Sequence, residues 1–123
     1  MNNSSGLILV IDDERDICEL VQLTLEGLGF EVLLGYSGEE GLELIRSSKH
    51  EIQLILLDLA MPGLSGVDVL GIVKKEFPDV PVIIMSGYIS DKSEVAALGA
   101  TDVLQKPFLL SGVEERVRSV LDR

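Results

Sequence analysis

The residues of this chain that could do chemistry fall directly after short apolar runs. Asp12 and Asp13 follow the run 7–11, Asp58 follows 54–57, Ser86 follows 80–85, and Gln105 and Lys106 follow 103–104. Any one of these positions reads equally well as a solvated turn, because segments that leave strands are polar. Taken as a set they supply carboxylates, a hydroxyl and an ammonium. Carboxylates gathered in one place repel: at ~5 Å and an effective dielectric of ~20, each pair costs on the order of 3 kcal/mol. A hard divalent cation removes that cost, and oxygen ligands with room for water suit Mg²⁺. Lys106 adds a second positive charge for a phosphoryl oxygen, and Ser86 can donate a hydrogen bond to another. What is left is a carboxylate nucleophile beside a metal, the layout that forms an acyl phosphate.

The elements that must position these groups are legible in the hydrophobic pattern. The runs 7–11, 32–34, 54–57, 80–85 and 103–104 are continuously apolar rather than alternating. Such runs are buried on both faces, as in a parallel sheet covered by helices. Amphipathic segments separate them. The first places Ile17, Leu20, Val21, Thr24, Leu25 and Leu28 on one face and meets stop signals at Gly27 and Gly29. Ser37 with Glu40, and Ser65 with Asp68, have the spacing of capping boxes that open a second and a third helix. The third runs to about Phe77, before Pro78. A short fourth helix is expected over 92–98, closed by Gly99, and Val113, Val117, Val120 and Leu121 form the stripe of a fifth. The pattern predicts one α/β domain over 1–123: a (βα)₅ doubly wound parallel sheet in the flavodoxin-like strand order 2-1-3-4-5. In such sheets ligands bind beyond the carboxyl ends of the strands, where the strand order reverses. The reactive residues above share that edge.

Composition narrows the function. The chain is 46% hydrophobic, enough for a core without disulfide or metal staples. No apolar run approaches the ~20 residues of a membrane span, and the start, Met1 to Gly6, lacks the basic and apolar parts of a signal peptide. A cytoplasmic protein without a membrane partner is expected. A net charge of −11 repels nucleic-acid phosphates, so direct nucleic-acid binding is not expected, whereas cations and basic partner surfaces suit it. Cys18 is the single cysteine, which excludes an internal disulfide and reads as an inert thiol. His50 reads as a surface histidine and Tyr36 as half-buried packing. Gly63 and Gly66 read as turn and close-approach glycines rather than a nucleotide loop. No phosphate-binding glycine pattern follows the first strand.

At these residues the sequence resembles the receiver domains of two-component response regulators, over about Leu7 to Leu121. Ile11-Asp12-Asp13-Glu14 looks like the family's acidic pair, Asp58-Leu59-Ala60-Met61-Pro62-Gly63 with Gly66 like its phosphoacceptor loop, Ser86-Gly87 like its switch hydroxyl and small neighbour, and Lys106-Pro107-Phe108 like its lysine–proline signature, usually cis. Met85-Ser86-Gly87-Tyr88 and Leu104-Gln105-Lys106-Pro107-Phe108 also echo receivers fused to hybrid sensor kinases. The resemblance implies a phosphorelay signalling switch rather than an enzyme with a separate substrate. Asp58 would accept the phosphoryl group from the phosphohistidine of a sensor histidine kinase or histidine phosphotransfer protein. Asp13, Asp58 and the backbone carbonyl of Ala60 would ligate Mg²⁺, with Asp12 holding it through water. Lys106 and Ser86 would bind the phosphoryl oxygens. Ala60 and Tyr88 would border the path of the hydrolytic water, and neither a methyl nor a shielding ring orients water, so a long-lived acyl phosphate is expected.

Two features depart from the family pattern. Val103 stands where an aromatic usually turns inward on activation, and the stretch from Ser86 to Gly99 is about two residues short. Both lie on the face of the expected fourth helix, fifth strand and fifth helix, where an output partner usually binds. Two other readings compete. An aspartate-nucleophile phosphatase would carry its nucleophile on the first strand with a second aspartate two residues on, where this chain has Glu14 after Asp12 and Asp13. A pseudo-receiver acting only as an interaction module would not need the full acceptor set that is present.

Overall fold

The computed structural model describes residues 6–48, 51–87 and 96–121. Five parallel strands, β1 (Leu7–Ile11), β2 (Glu31–Gly35), β3 (Ile52–Asp58), β4 (Val82–Ser86) and β5 (Asp102–Gln105), form one sheet in the order β2-β1-β3-β4-β5. The helices described are α1 (Arg15–Gly27), α2 (Gly38–Ser47), α3 (Gly66–Glu76) and the C-terminal α4 (Leu110–Leu121). The expected doubly wound sheet and its order are therefore present.

The unbroken apolar runs have the cause expected of them. Successive strand residues point to opposite faces, and both faces are covered. Ile8, Val10, Leu54, Leu56, Ile83 and Met85 pack with Val21 and Leu25 of α1 and Val113 and Val117 of α4. Leu9, Ile11, Ile55, Leu57, Val82 and Ile84 pack with Ile45 of α2 and Val69 and Val73 of α3. The central strands register Val10 against Leu56 and Leu57 against Ile84, so three strands end almost level at one edge.

The helix starts are largely those expected. Ser37 Oγ accepts from Glu40 N–H at 3.0 Å, and Glu40 Oε1 accepts from Tyr36 N–H at 2.9 Å. Ser65 Oγ accepts from Asp68 N–H at 3.2 Å. α3 ends at Glu76, with Phe77 its cap. Gly29 has φ +97° beyond the end of α1, a backbone conformation open mainly to glycine.

Three local expectations need correction. Leu20 is 48% exposed, and the inward face of α1 is completed by Cys18, which is fully buried. β4 begins at Val82 rather than at 80: Pro81 has no N–H to give a ladder, and the Val80 carbonyl is taken by the Lys74 ammonium at 2.7 Å. β3 starts two residues earlier than the apolar run, because Gln53 is an exposed interruption between buried Ile52 and Leu54. The helix expected over 92–98 falls mostly outside the described residues, of which 96 and 97 are helical. His50 and Tyr88 also lie outside them.

Candidate functional site

Asp12 directly follows β1, and Asp58 and Ser86 end β3 and β4 at the same carboxyl edge; all three are buried, with 0%, 3% and 3% of their surface exposed. Asp12 is anchored by backbone on both sides: its N–H donates to the Gly35 carbonyl at 3.0 Å, and its carbonyl accepts from the Cys18 thiol at 3.2 Å. Burial first, then the negative charge of Asp12, pushes that thiol up to about 12, so Cys18 is an inert packing group, as expected.

Asp58 closes β3, and Ala60 N–H donates to its Oδ1 at 3.1 Å, fixing the plane of the carboxylate. The loop that follows is shaped by glycine. Gly63 has φ +75°. A Cβ on Gly66 would run into the Asp58 carbonyl oxygen and Leu59 Cα, both backbone atoms that cannot yield. Gly66 N–H in turn donates to the Leu59 carbonyl at 3.1 Å. The first turn of α3 therefore lies against the loop that carries Asp58.

Lys106 joins the edge from β5, where its N–H donates to the Ser86 carbonyl at 2.7 Å and its peptide bond to Pro107 is cis. Its ammonium sits among three carboxylates: 2.7 Å from Asp12 Oδ2, 2.9 Å from Glu14 Oε1 and 3.4 Å from Asp58 Oδ2. Burial opposes its charge, but pairing with Asp12 and Glu14 outweighs burial and holds it above the ordinary lysine range. Asp58 is pushed the other way, up to about 6, by burial and then by the adjacent Asp12 charge; the Ala60 hydrogen bond and Lys106 only partly offset this. One lysine does not neutralise the pocket.

The excess negative charge suits a cation. Carboxylate oxygens of Asp12, Glu14 and Asp58 lie within 4.8 Å of one another. Asp12 Oδ2 is buried and accepts no directed hydrogen bond, with the ammonium beside it as an ion pair. An all-oxygen donor set partly open to water fits Mg²⁺. Asp13, the ligand expected from the resemblance, is exposed and is not among the three converging carboxylates. Glu14, which the resemblance gave no role, is. Beside the acids a shallow cleft of about 460 Å³ is lined by Glu14, Ile17, Gly87, Lys106, Pro107 and Phe108, giving access to Lys106 from solvent.

Val103 is 7% exposed and packs on the α2–α3 side of the sheet. Its strand is tied to α4 through Arg116, whose Nη1 donates to Asp102 Oδ1 at 2.8 Å and to the Val103 carbonyl at 2.9 Å. Tyr36 is half-buried, with the Arg15 guanidinium 4.0 Å from its ring centroid.

Comparison with known proteins agrees with this geometry. Residues 8–118 match the family model of the response regulator receiver domain. The chain is 38% identical to a probable transcriptional regulator of Porphyra purpurea, over 100% of this chain and 50% of that protein. It is 36% identical to the transcriptional regulatory protein CpxR of Escherichia coli, over 94% of this chain and 49% of that protein. It thus spans about half the length of the curated relatives it matches. Among solved structures, the response regulator protein TrrA of Thermotoga maritima, in complex with Mg²⁺-BeF, superposes with a TM-score of 0.85 at 33% identity, covering 94% of this chain and 99% of that one. A receiver domain from Methanospirillum hungatei superposes with a TM-score of 0.88 at 29% identity, covering 97% and 95%. Matched by that family model over residues 8–118 and carrying the β2-β1-β3-β4-β5 sheet, the chain belongs to the response regulator receiver domain family.

Proposed function

We propose that this receiver performs its role as a phosphorelay signalling switch by accepting a phosphoryl group onto Asp58 from the phosphohistidine of a histidine kinase or phosphotransfer protein, in a Mg²⁺-dependent reaction. The observation that carries the reading is the state of Asp58: a 3% exposed carboxylate, raised to about 6, with an ammonium 3.4 Å from Oδ2. A carboxylate with a raised pKa is a better nucleophile than an ordinary one and is still mostly ionised at neutral pH.

Asp58 attacks the phosphorus, and the bond to the donor nitrogen breaks as the acyl phosphate forms. Ala60 N–H keeps the carboxylate oriented throughout. The acyl phosphate carries about −1.5 to −2 in place of the single charge of the carboxylate, so up to about one negative charge is added beside Asp12 and Glu14. Lys106 is placed to turn toward it, and Ser86, buried at the end of the neighbouring β4, is placed to donate to a phosphoryl oxygen. Asp12, Asp58, the Ala60 carbonyl and either Asp13 or Glu14 would hold Mg²⁺, which supplies charge neutralisation to the transferring phosphoryl group. The Mg²⁺-BeF complex of the TrrA protein supports that reading.

No helix among the described residues is long and apolar enough to cross a membrane; the cytoplasmic setting is proposed together with the receiver role. The output partner is proposed to bind the face of the expected fourth helix, which lies mostly outside the described residues, together with β5 and the C-terminal α4. The experiment is intact mass after incubation with acetyl phosphate, with and without Mg²⁺. The wild type gains one phosphoryl mass only with Mg²⁺, and Asp58→Asn gains none. Equal labelling of Asp58→Asn rejects Asp58, and no labelling of either supports a pseudo-receiver.

A further inference from the structure

Glu14 occupies the N-cap position of α1, where Ser, Thr, Asp or Asn normally accepts a hydrogen bond from the first turn. Its side chain makes no such bond. Its N–H donates to Asp12 Oδ1 at 2.9 Å, and its carboxylate turns back to take the Lys106 ammonium at 2.9 Å. The Lys106 side chain is only 12% exposed, and its ammonium lies nearer to Asp12 and Glu14 than to Asp58. An ammonium has three protons to donate; two are directed to Glu14 and Asp58, and the Asp12 carboxylate 2.7 Å away holds the ammonium by charge. Asp12 and Asp58 are buried and cannot move away, whereas the Glu14 side chain is 59% exposed and can rotate into water.

We propose that Glu14 is a positioning residue that retains Lys106 in the resting pocket, so that acceptance of a phosphoryl group requires the lysine to be released from it. The inference rests on the reading of Asp58 as acceptor. In the resting chain Lys106 serves as an internal counter-ion for the acids. On phosphorylation the contact to be given up first is the exposed one, to Glu14, and a proton of the ammonium then faces the phosphoryl oxygen. Glu14 thereby sets how readily the pocket takes an anion.

The test uses Glu14→Gln, which keeps the side-chain size and removes the charge, with Mg²⁺ and fluoroberyllate as the phosphoryl mimic. Affinity for the mimic should rise roughly two- to five-fold, the worth of one largely exposed charged contact. In a Lys106→Met background the same substitution should have no effect; Lys106→Gln replaces Lys106→Met if circular dichroism shows that variant to be unfolded. An equal gain without the lysine would mean that only negative charge near an anion site had been removed, and would overturn the proposal. So would weaker binding of Mg²⁺ alone to Glu14→Gln, which would make Glu14 a metal ligand. A second measurement does not depend on the acceptor reading: ¹⁵N NMR of the Lys106 ammonium in the resting protein. Its protons should exchange with water faster in Glu14→Gln, and unchanged exchange would overturn the proposal. Failure of the wild type to bind fluoroberyllate would count against Asp58 as acceptor, while the ammonium exchange still decides whether Glu14 holds the lysine.

Discussion

Replacing Asp58 by asparagine should make the folded chain more stable at neutral pH. In the fold this carboxyl is raised from an ordinary value of 3.8 to about 6, by burial and by Asp12. The sign follows from the direction of the shift. Below the unfolded value both states are protonated and nothing is lost. As pH rises, the unfolded chain releases its proton first, so stability falls through the window from about 4 to about 6 and the loss is complete above it. A shift of about two units at about 1.4 kcal/mol each amounts to about 3 kcal/mol, of which about half accrues between pH 5 and 7.5. This is an upper figure, because Asp12 and Asp58 share one ammonium and either would recover part of it if the other were neutral. Asparagine keeps an oxygen for the Ala60 N–H and carries no charge to desolvate. The assay is urea unfolding followed by circular dichroism at several pH values from 5 to 7.5, without divalent ions. The interval stays above the isoelectric point near 4.3. The Asp58→Asn variant should be more stable by about 1–3 kcal/mol at pH 7.5, with a gap that narrows toward pH 5. A gap that does not change with pH, or a variant less stable than the wild type at pH 7.5, would refute the account of a carboxylate held charged against its surroundings.

Mg²⁺ should raise the melting temperature of the wild type, since an ion that binds only the folded state stabilises it. Calorimetry of Asp13→Ala decides between the expected ligand and Glu14, whose carboxylate turns toward Lys106: retention of the full shift would remove Asp13 from the metal site. The acyl phosphate should be long-lived, and Ala60→Asn should hasten its loss roughly two- to ten-fold, the value of one hydrogen bond to water; decay followed by intact mass would reject this if the variant were no faster. Val103→Ala should cost about 1 kcal/mol or more through lost packing in urea unfolding, while leaving the fluoroberyllate-induced change in amide exchange largely intact; loss of that change would make Val103 part of the switch.

The architecture and the edge at which the site lies were readable locally, because both depend on patterns within a few residues. A run that is apolar at every position has to be covered on both faces, and the alternation of Ile8 and Val10 with Leu9 and Ile11 between the two cores is that rule in operation. Ser37 and Ser65 announced their helices because a cap bonds within its own turn. The acids at the ends of β1 and β3, the serine at the end of β4 and the lysine after β5 could be placed together because parallel strands present the same end to the same edge. Spacing could not decide which acid turns toward Lys106. Asp13 and Glu14 are adjacent acids at the start of α1, and the choice between them depends on the backbone of the cap residue and on an ammonium 92 residues away. Nor could the α1 pattern tell Leu20 from Cys18, since that depends on how far the helix is rotated against the sheet and α4. The raised Asp58 and the ion pairs of Lys106 likewise exist only in the fold, because each is set by desolvation and by charges that the ends of β1, β3 and β5 bring within a few ångströms.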